Sequence, residues 1–318
     1  MSPDVQIIGA GIAGLACARA LASAGHEVVV RERGAAIGGR LATRELDGRP
    51  VDLGASYLTC RDEAFRTLVD DWVRRGLAHP WTSSFAVHNR LGLSRSEDGP
   101  MRYGAGRGLA ALVEDLATGI PVRLGDPVTD VGPGPVVDGV EVDAVVLAMP
   151  DPEAHQLLDP ACEAERAAVS SAWSPVIAVA AAWSRRRWDV EGVFVHDDPV
   201  LDWIADDGRR RADSAPVLVA HSTTGYASEH LDEVDKNPEE VVHQVVDAVR
   251  AILDVDEPPR WTYAQAWPYA KPLAPRASPF FLGDGGIAIC GDAWGSPRVE
   301  NAWLSGHKLG TELARRLA

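Results

Sequence analysis

Three glycines near the start of the chain have the spacing of a turn that binds phosphate groups. Gly9, Gly11 and Gly14 form the pattern G-x-G-x-x-G directly after an apolar run. The first glycine allows a tight turn, the second lets a diphosphate approach the backbone, and the third lets a helix pack closely on a strand. Glu32, at the end of the next apolar run, can accept hydrogen bonds from ribose hydroxyls. These residue types in this order predict binding of a dinucleotide.

The sequence around the glycines predicts the elements that must position them. Val5–Ile8 is a short apolar run typical of a buried strand, Ala13–Ala24 has helical composition, and Glu27–Arg31 predicts a second strand. The first N–H groups of a helix have no intrahelical partner, and the helix dipole favours an anion there. We therefore expect Ile12 and Ala13 to present backbone N–H groups to the phosphates.

Two further blocks have a composition that suits close approach to a cofactor. Gly38 and Gly39 let the backbone come near, and Arg40 supplies a cation beside them. Far along the chain, a short apolar strand ends at Gly291 and Asp292 and precedes a long predicted helix. Because a plain NAD dehydrogenase needs neither block, both blocks favour a dinucleotide other than NAD.

The middle of the chain alternates strands, turns and helices. Asp47 and Gly48 form a hairpin turn signal between two short strands. Val128 opens a predicted strand, and Val140–Met149 has the apolar composition of one long strand buried in a sheet. Pro238–Leu253 predicts an amphipathic helix with proline in its first turn.

Composition and charge exclude several function classes. The chain has 318 residues and a formal net charge of −15, which disfavours nucleic acid and anionic membrane surfaces as partners. No run of 18 or more apolar residues is present, so we expect no membrane span. The four cysteines are scattered and suit the reducing cytoplasm, and no cluster of His and Cys predicts a metal site.

The three blocks together resemble the FAD-binding fold of the flavin amine oxidase superfamily. The finer similarity is to bacterial renalase-type proteins, a short branch of that superfamily. It is carried by three segments, Gly39–Arg44, Asp52–Thr59 followed by Arg61 and Asp62, and Arg298–Gly306. The resemblance implies that FAD is the cofactor, and it places the Val128 backbone near adenine. The residues expected to bind FAD are Gly9, Gly11, Ile12, Ala13, Gly14, Glu32, Arg33, Gly38, Gly39, Arg40, Ala55, Val128, Gly291, Asp292, Asn301, Ala302 and Trp303.

The resemblance also implies a division of the chain. We predict an α/β fold in which a discontinuous Rossmann-type FAD-binding domain receives an inserted α+β substrate domain. The FAD-binding domain is expected over residues 1–78, 101–150 and 283–318, and the substrate domain over residues 79–100 and 151–282.

The activity implied by the resemblance is oxidation of a small molecule, a dihydronicotinamide. Renalase-like enzymes take a hydride from off-pathway isomers of dihydro-NAD(P) onto flavin N5, and O2 then reoxidises the flavin and gives hydrogen peroxide. Because aromatisation drives hydride loss, the protein must chiefly orient the ring. The residues expected to contact the substrate are Tyr57, Thr59, His221 and Trp267.

Two alternatives stay open at this point. The middle of the chain is only loosely similar to the renalase-type branch, so a flavin amine oxidase or desaturase acting on a small natural product is the second hypothesis. A flavoprotein that binds a nucleotide or a partner without turnover is the third.

Overall fold

The computed structural model describes residues 4–95, 98–169 and 172–318. A single turn of 3₁₀ helix lies at Gly39–Leu41. The described strands and helices up to residue 147 are, in chain order, β1 (Asp4–Ile8), α1 (Ile12–Ser23), β2 (Glu27–Glu32), β3 (Thr43–Leu46), β4 (Arg49–Asp52), α2 (Glu63–Arg74), β5 (His79–Thr82), β6 (Ala86–Asn89), β7 (Gly92–Arg95), β8 (Arg102–Gly104), α3 (Ala110–Ala117), β9 (Val122–Leu124), β10 (Val131–Gly132), β11 (Val136–Val137), β12 (Val140–Glu141) and β13 (Ala144–Leu147).

The remaining part of the chain is richer in helices. Its described elements are α4 (Asp151–Leu157), α5 (Glu163–Ala168), β14 (Trp173–Ala182), β15 (Gly192–Val195), β16 (Leu201–Asp206), α6 (Asp207–Arg211), β17 (Val217–Ser222), α7 (Thr224–His230), α8 (Glu233–Lys236), α9 (Pro238–Leu253), β18 (Trp261–Pro272), β19 (Phe281–Leu282), β20 (Ile287–Ile289) and α10 (Val299–Leu317).

The chain forms two compact units. Unit 1 comprises Met1–Leu41, Ala110–Trp173 and Lys271–Ala318. Unit 2 comprises Ala42–Leu109 and Ser174–Ala270. The predicted α/β fold class, with a discontinuous Rossmann-type part, is confirmed.

Unit 1 is built on a six-stranded sheet with the order β19-β20-β13-β1-β2-β9. Its strands run parallel except β19, which pairs antiparallel with β20. Strand β1 lies between β13 and β2, and its apolar residues are buried on both sides, as the short run Val5–Ile8 predicted. Because parallel strands end at one edge, the glycine turn after β1 and Glu32 at the end of β2 lie at the same edge of the sheet.

Helix α1 packs on α10 through glycines that leave no room for a side chain. A Cβ atom added to Gly306 would lie 1.9 Å from the carbonyl oxygen of Ala13, and one added to Gly310 would lie 2.5 Å from that of Cys17. The two helix backbones therefore approach each other closely, and this contact fixes α1 against α10.

Unit 2 is built on a seven-stranded sheet with the order β18-β14-β17-β16-β15-β6-β7. One face of the sheet packs against the apolar side of α9, where Val241, Val245 and Val249 are buried. Helix α9 occupies the range predicted from its amphipathic pattern, with Pro238 in the first turn. The opposite face carries buried alanines and larger, partly exposed aromatic side chains.

The hairpin prediction is confirmed, and two strand predictions are wrong. Asp47 and Gly48 connect β3 to β4 with φ angles of 51° and 73°, which suits a tight hairpin turn. Val140–Met149 is two strands instead of one, because Asp143 binds the backbone N–H of Asp4 at 2.7 Å and the chain turns there. Val128 lies in an irregular segment before β10 and does not open a strand.

The compact units and the predicted domains differ in their bounds. Residues 42–78 belong to unit 2, because Asp52 at the end of β4 is tied to Arg211 of that unit. Residues 151–173 belong to unit 1, where Ala154 and Leu158 pack beneath β13. The assignment of cofactor to one part and substrate to the other stays a prediction.

Substituting Gly306 by Ala should reduce stability, although Ala normally favours a helix. The new methyl group would meet the Ala13 carbonyl, and overpacking of this kind costs about 1–3 kcal/mol. The matched control is Gly225→Ala in α7, where the nearest atom would be Thr223 Oγ1 at 3.9 Å, and this variant should gain up to about 1 kcal/mol. Urea unfolding measures both changes. An equal gain in the two variants would contradict the close packing of α1 on α10.

Candidate functional site

The glycine turn of unit 1 has the sterics that its sequence predicted. Gly9 has a φ angle of +107°, and an added Cβ would lie 2.7 Å from the Ala148 carbonyl oxygen. A Cβ on Gly14 would lie 2.1 Å from the Gly9 carbonyl oxygen. A Cβ on Gly11 would meet nothing within 4 Å, so the turn is open at this residue. Gly11 is the N-cap of α1 and offers no side chain to the first N–H groups of the helix.

The segment of Gly38 and Gly39 lies against this turn. The N–H of Gly38 donates to the Ala10 carbonyl at 3.0 Å, and Gly38 forms a parallel bridge with Gly11. Glu32 closes the same region, because its carboxylate accepts from the N–H of Ala10 at 2.9 Å and from that of Gly34 at 2.8 Å. These bonds hold the carboxylate at the end of β2 and leave each oxygen one further acceptor position.

Arg40 and Asp292 form a two-point ion pair at this edge of the sheet. The guanidinium donates to both carboxylate oxygens, at 2.7 and 2.9 Å. It also lies over the Trp173 ring, 5.0 Å from its centroid. The backbone N–H of Gly291 donates to the buried hydroxyl of Ser305 on α10. The Gly-Gly-Arg block and the Gly-Asp strand end, which are far apart in sequence, therefore meet in unit 1.

A second pair of the same kind is one that the sequence analysis missed. Arg276 donates to the buried carboxylate of Asp151 at 2.7 Å and lies 4.3 Å from the centroid of the Trp294 ring. Its backbone N–H donates to the Ala293 carbonyl at 2.8 Å. Asp151 begins α4, four residues after the end of β13. A polar residue so close to the carboxyl end of a parallel strand was the available signal.

The start of α10 is held by its own loop. Asn301 donates from Nδ2 to the Ser296 carbonyl at 2.8 Å and accepts from Arg298 at 3.1 Å. Ala302 and Trp303 are buried, and the Trp303 ring stacks on His307 one turn later at 4.6 Å. The side chain of Asn301 is thus engaged within the loop and the helix.

Two predicted cofactor residues lie apart from this arrangement. The Arg33 side chain is 68% exposed and pairs with Glu153 at 2.7 Å. Val128 is buried in an apolar cluster with Val131, Leu158 and other residues. Neither contact resembles those around the glycine turn. The roles of Arg33 and Val128 in binding FAD therefore stay predictions.

In unit 2, the segment after β4 alternates between buried and partly exposed residues. Ser56, Leu58 and Cys60 are buried, whereas Tyr57 and Thr59 between them are partly exposed. Leu58 is fixed by two backbone hydrogen bonds with Tyr103, at 3.0 and 3.1 Å. The alternation therefore turns Tyr57 and Thr59 toward the opposite side from the buried anchors. Ala55 precedes this segment and is also partly exposed.

A buried ion-pair cluster anchors the same segment. Asp207 binds both Arg210 and Arg211, and Arg211 also pairs with Asp52 at 2.8 Å. Arg210 donates to the carbonyl oxygens of Asp52 and Ser56, each at 3.1 Å. Burial would raise the pKa of the Asp207 carboxyl, but the arginines around it lower that pKa below its usual value. The carboxylate is therefore charged at neutral pH.

The sequence did not indicate this cluster, because its run of charged residues resembles a solvated surface. Asp206–Arg211 is a run of five charged residues and one glycine, yet Asp206, Asp207, Arg210 and Arg211 are all buried. The available signal was Asp52, a carboxylate between the apolar residues Val51 and Leu53.

Tyr57 belongs to a cluster of five aromatic rings, which we call the aromatic cluster. Its centroid lies 5.4 Å from that of Phe85 and 6.0 Å from that of Trp203. Phe85 and Trp203 are buried, whereas Tyr57, Trp81 and Phe194 are partly exposed. The indole N–H of Trp203 donates to the Ser56 hydroxyl at 3.0 Å and ties the cluster to the anchored segment.

His221 and Trp267 lie on the same face of the seven-stranded sheet as this cluster. His221 is paired across the sheet with Trp203 on one side and with Ala178 on the other. The Trp267 ring packs against an apolar cluster that includes Ala178, and its N–H donates to the Leu53 carbonyl at 3.0 Å. The structure thus brings Tyr57, His221 and Trp267 to one face, with Thr59 on the adjoining segment.

Over the described ranges, no three His, Cys, Asp or Glu side chains come together in a group that could hold a metal ion. No helix in the described part of the chain is both long and apolar enough to cross a membrane.

Comparison with known families agrees with this geometry. The family model described as flavin containing amine oxidoreductase matches residues 73–309. The chain belongs to this family. A second family model, described as an NAD(P)-binding Rossmann-like domain, matches residues 7–72 and includes the glycine turn. The two matched ranges together contain the glycine turn, the Gly-Gly-Arg block and the Gly291–Asp292 strand end.

Individual curated relatives match only a short stretch of the chain. Polyamine oxidase 4 of Oryza sativa subsp. japonica is 44% identical over 69 residues, which are 21% of this chain and 14% of the relative. Polyamine oxidase 2 of Arabidopsis thaliana is 41% identical over 70 residues, again 21% of this chain and 14% of the relative. The matched stretches thus span about a seventh of these curated relatives.

Solved structures resemble the fold over nearly the whole chain. Cyclohexylamine oxidase from Brevibacterium oxydans IH-35A has a TM-score of 0.77 and 16% identity and covers 100% of both chains. Putrescine oxidase bound to putrescine has a TM-score of 0.76 and 18% identity and covers 99% of this chain and 100% of that chain. At such identities the likeness concerns the fold.

The residues of unit 1 fit the diphosphate and ribose of FAD. Side chains at Gly9 or Gly14 would collide with backbone, whereas the space at Gly11 is open beside uncapped helix N–H groups. The Glu32 carboxylate is held at the end of β2, where ribose hydroxyls can donate to it. We predict that these residues hold the adenosine diphosphate part of the cofactor.

Substituting Glu32 by Ala should weaken FAD binding more than it slows flavin reduction in the molecules that retain FAD. The variant loses a charged acceptor for ribose hydroxyls, worth about 1.5–3 kcal/mol, or roughly tenfold to a hundredfold in the FAD dissociation constant. Titration of apoprotein with FAD measures this. Glu27→Ala, at the exposed start of the same strand, is the matched control and should bind FAD like the natural chain. A larger loss in reduction rate than in affinity would contradict the assignment.

Proposed function

We propose that this flavin-containing amine oxidoreductase oxidises the dihydronicotinamide ring of an isomer of dihydro-NAD(P). The observation that carries the proposal is the chemistry around Tyr57 in unit 2. Flat aromatic rings surround this residue, and the charged group that lies over them is the guanidinium of Arg102. The nearby carboxylate of Glu191, which accepts from the Trp81 indole, is paired with Arg209 at 3.2 Å.

Aromatic rings and a guanidinium around Tyr57 suit a substrate ring that loses hydride readily. FAD held by the glycine turn, Glu32 and the Arg40–Asp292 pair would supply the hydride acceptor and the route of the electrons to O2, with hydrogen peroxide as the product. Because the nicotinamide becomes aromatic as the hydride leaves, the protein needs no general base and must orient the ring. Partly exposed Tyr57, Trp81 and Phe194 offer aromatic surface for stacking, and such stacking is worth roughly 1–3 kcal/mol per ring.

Each of the two units has its own proposed role. Unit 1 holds FAD through the glycine turn, Glu32 and the Arg40–Asp292 pair. Unit 2 binds the substrate through Tyr57 and its neighbouring rings. His221 and Trp267, on the same face of the sheet, line the substrate site, and Thr59 contributes a hydroxyl beside Tyr57.

Amine oxidation is the second candidate, and a specific observation favours it. Two curated relatives, each matching about a fifth of the chain, are named polyamine oxidases. Aromatic rings also attract ammonium groups. Against this candidate, a cationic substrate would be repelled by the Arg102 guanidinium, which lies 5.8 Å from the Tyr57 ring.

Anaerobic mixing distinguishes the two candidates. The FAD-loaded protein is mixed in a stopped-flow instrument with 2-dihydro-NAD or 6-dihydro-NAD, and separately with putrescine, spermidine and benzylamine. We expect the dihydronicotinamides to bleach the flavin within seconds and the amines to leave it oxidised. Bleaching by an amine, together with no bleaching by any dihydronicotinamide, would contradict the proposal.

Substituting Tyr57 by Ala tests the role of the ring. Loss of stacking should lower the affinity for the dihydronicotinamide about tenfold, as expected for about 1.4 kcal/mol. Tyr57→Phe keeps the ring and is the matched control, and it should bind the substrate within about threefold of the natural chain. Saturation of the bleaching rate with substrate concentration gives the affinities. Equal losses in the two variants would assign the effect to the hydroxyl group instead of the ring.

A further inference from the structure

We propose that Arg102 is an anion-binding residue that recognises the phosphate groups of the substrate. The inference rests on the proposed function for the nature of that substrate. It adds a specificity-determining residue that no motif in the sequence indicated.

The position of Arg102 is fixed by its strand and by an aromatic ring. Strand β8 pairs antiparallel with β5, and Arg102 lies opposite Thr82. Its guanidinium carbon lies 4.0 Å from the centroid of the buried Phe85 ring. One of its terminal N–H groups donates to the Ser83 carbonyl at 2.6 Å. These contacts hold the guanidinium beside Tyr57, at the edge of the aromatic cluster.

Arg102 is buried without an ion-pair partner among the described residues. Only 8% of the residue is exposed, and none of the ion pairs found over residues 4–95, 98–169 and 172–318 includes it. Its Nε is buried and meets no acceptor in those ranges. The nearby carboxylate of Asp98 accepts from the Ser83 hydroxyl at 3.5 Å. Arg210 and Arg211, which are similarly buried, both pair with Asp207.

A buried cation of this kind calls for an anion in the working protein. Removing a guanidinium from water is costly unless an anion and hydrogen-bond acceptors replace the water. A guanidinium has five N–H donors, and its fork geometry matches phosphate or carboxylate oxygens. The Ser83 carbonyl accepts from one terminal nitrogen, so further donors are available for an oxyanion.

The charge of the whole chain makes such a residue necessary for an anionic substrate. With a formal net charge of −15, the protein as a whole repels phosphate groups, and a local cation must supply the attraction. Phosphate at Arg102 would leave the neighbouring nicotinamide ring free to stack on the aromatic cluster. Arg102 thereby selects a nucleotide over an amine.

The experiment compares an anionic and an uncharged substrate in three variants. Bleaching of the FAD-loaded protein is titrated with 6-dihydro-NAD and with uncharged 1-benzyl-dihydronicotinamide, and the ratio of the two affinities is recorded. In Arg102→Met we expect this preference for the anionic substrate to fall about tenfold or more, as for loss of a hydrogen bond to a charged group. Arg102→Lys keeps the charge and should retain part of the preference.

The matched control removes an exposed positive charge from the same unit. The Arg90 side chain is 85% exposed and lies 3.7 Å from Asp197, so Arg90→Met should keep the natural preference. Thermal unfolding and FAD content of each variant report whether it is folded. An unchanged affinity ratio in folded Arg102→Met would overturn the proposal, because a purely structural arginine would affect both substrates alike.

A direct binding measurement separates this proposal from the proposed function. Inorganic diphosphate and oxidised NAD are titrated against tryptophan fluorescence, since Trp81 and Trp203 belong to the aromatic cluster. We expect both ligands to quench the fluorescence of the natural chain and neither to quench that of Arg102→Met. This result would support the anion site even if no dihydronicotinamide is oxidised. Absence of diphosphate or NAD binding to the natural chain would overturn it.

Discussion

The arrangement of unit 2 depends on a buried cluster of charges. Asp207 holds Arg210 and Arg211, and these arginines in turn bind Asp52 and two carbonyl groups of the segment that carries Tyr57. Removing one charge from such a cluster would leave another buried and uncompensated, which costs several kcal/mol. The cluster therefore fixes a short segment that has few apolar anchors of its own. Charged residues far away in sequence thus hold the segment that carries Tyr57 of the aromatic cluster.

The site in unit 1 depends on close steric contacts of the backbone. Its glycine turn presents backbone N–H groups, and its close contacts exclude side chains at Gly9, Gly14 and Gly306. Two ion pairs lie at the edge of the sheet, where Arg40 binds Asp292 and Arg276 binds Asp151, and each arginine lies over a tryptophan ring. A rigid backbone cradle suits a cofactor that stays bound, whereas the aromatic cluster of unit 2 suits a substrate that must leave after each turnover.

The sequence predicted the features that depend on local chemistry. The glycine turn, the Asp47-Gly48 hairpin and helix α9 follow from backbone conformation and periodicity over a few residues. Val140–Met149 was predicted as one strand because its apolar composition hides the turn at Asp143. The run Asp206–Arg211 has the composition of a surface, and its burial depends on Asp52, more than a hundred residues earlier. Pairings over such distances leave no periodic trace in a single sequence.

In the proposed function, the oxidised ring is a nicotinamide, and aromatic surface and a buried cation recognise it. The identity of the products tests this most directly. The FAD-loaded protein is incubated in air with 6-dihydro-NAD and, in parallel, with putrescine, and the products are separated by chromatography while O2 is followed with an electrode. The account predicts NAD⁺ and hydrogen peroxide in amounts equal to the O2 consumed, with putrescine unchanged. Formation of an aldehyde and ammonia from putrescine, with the dihydronicotinamide recovered intact, would contradict it.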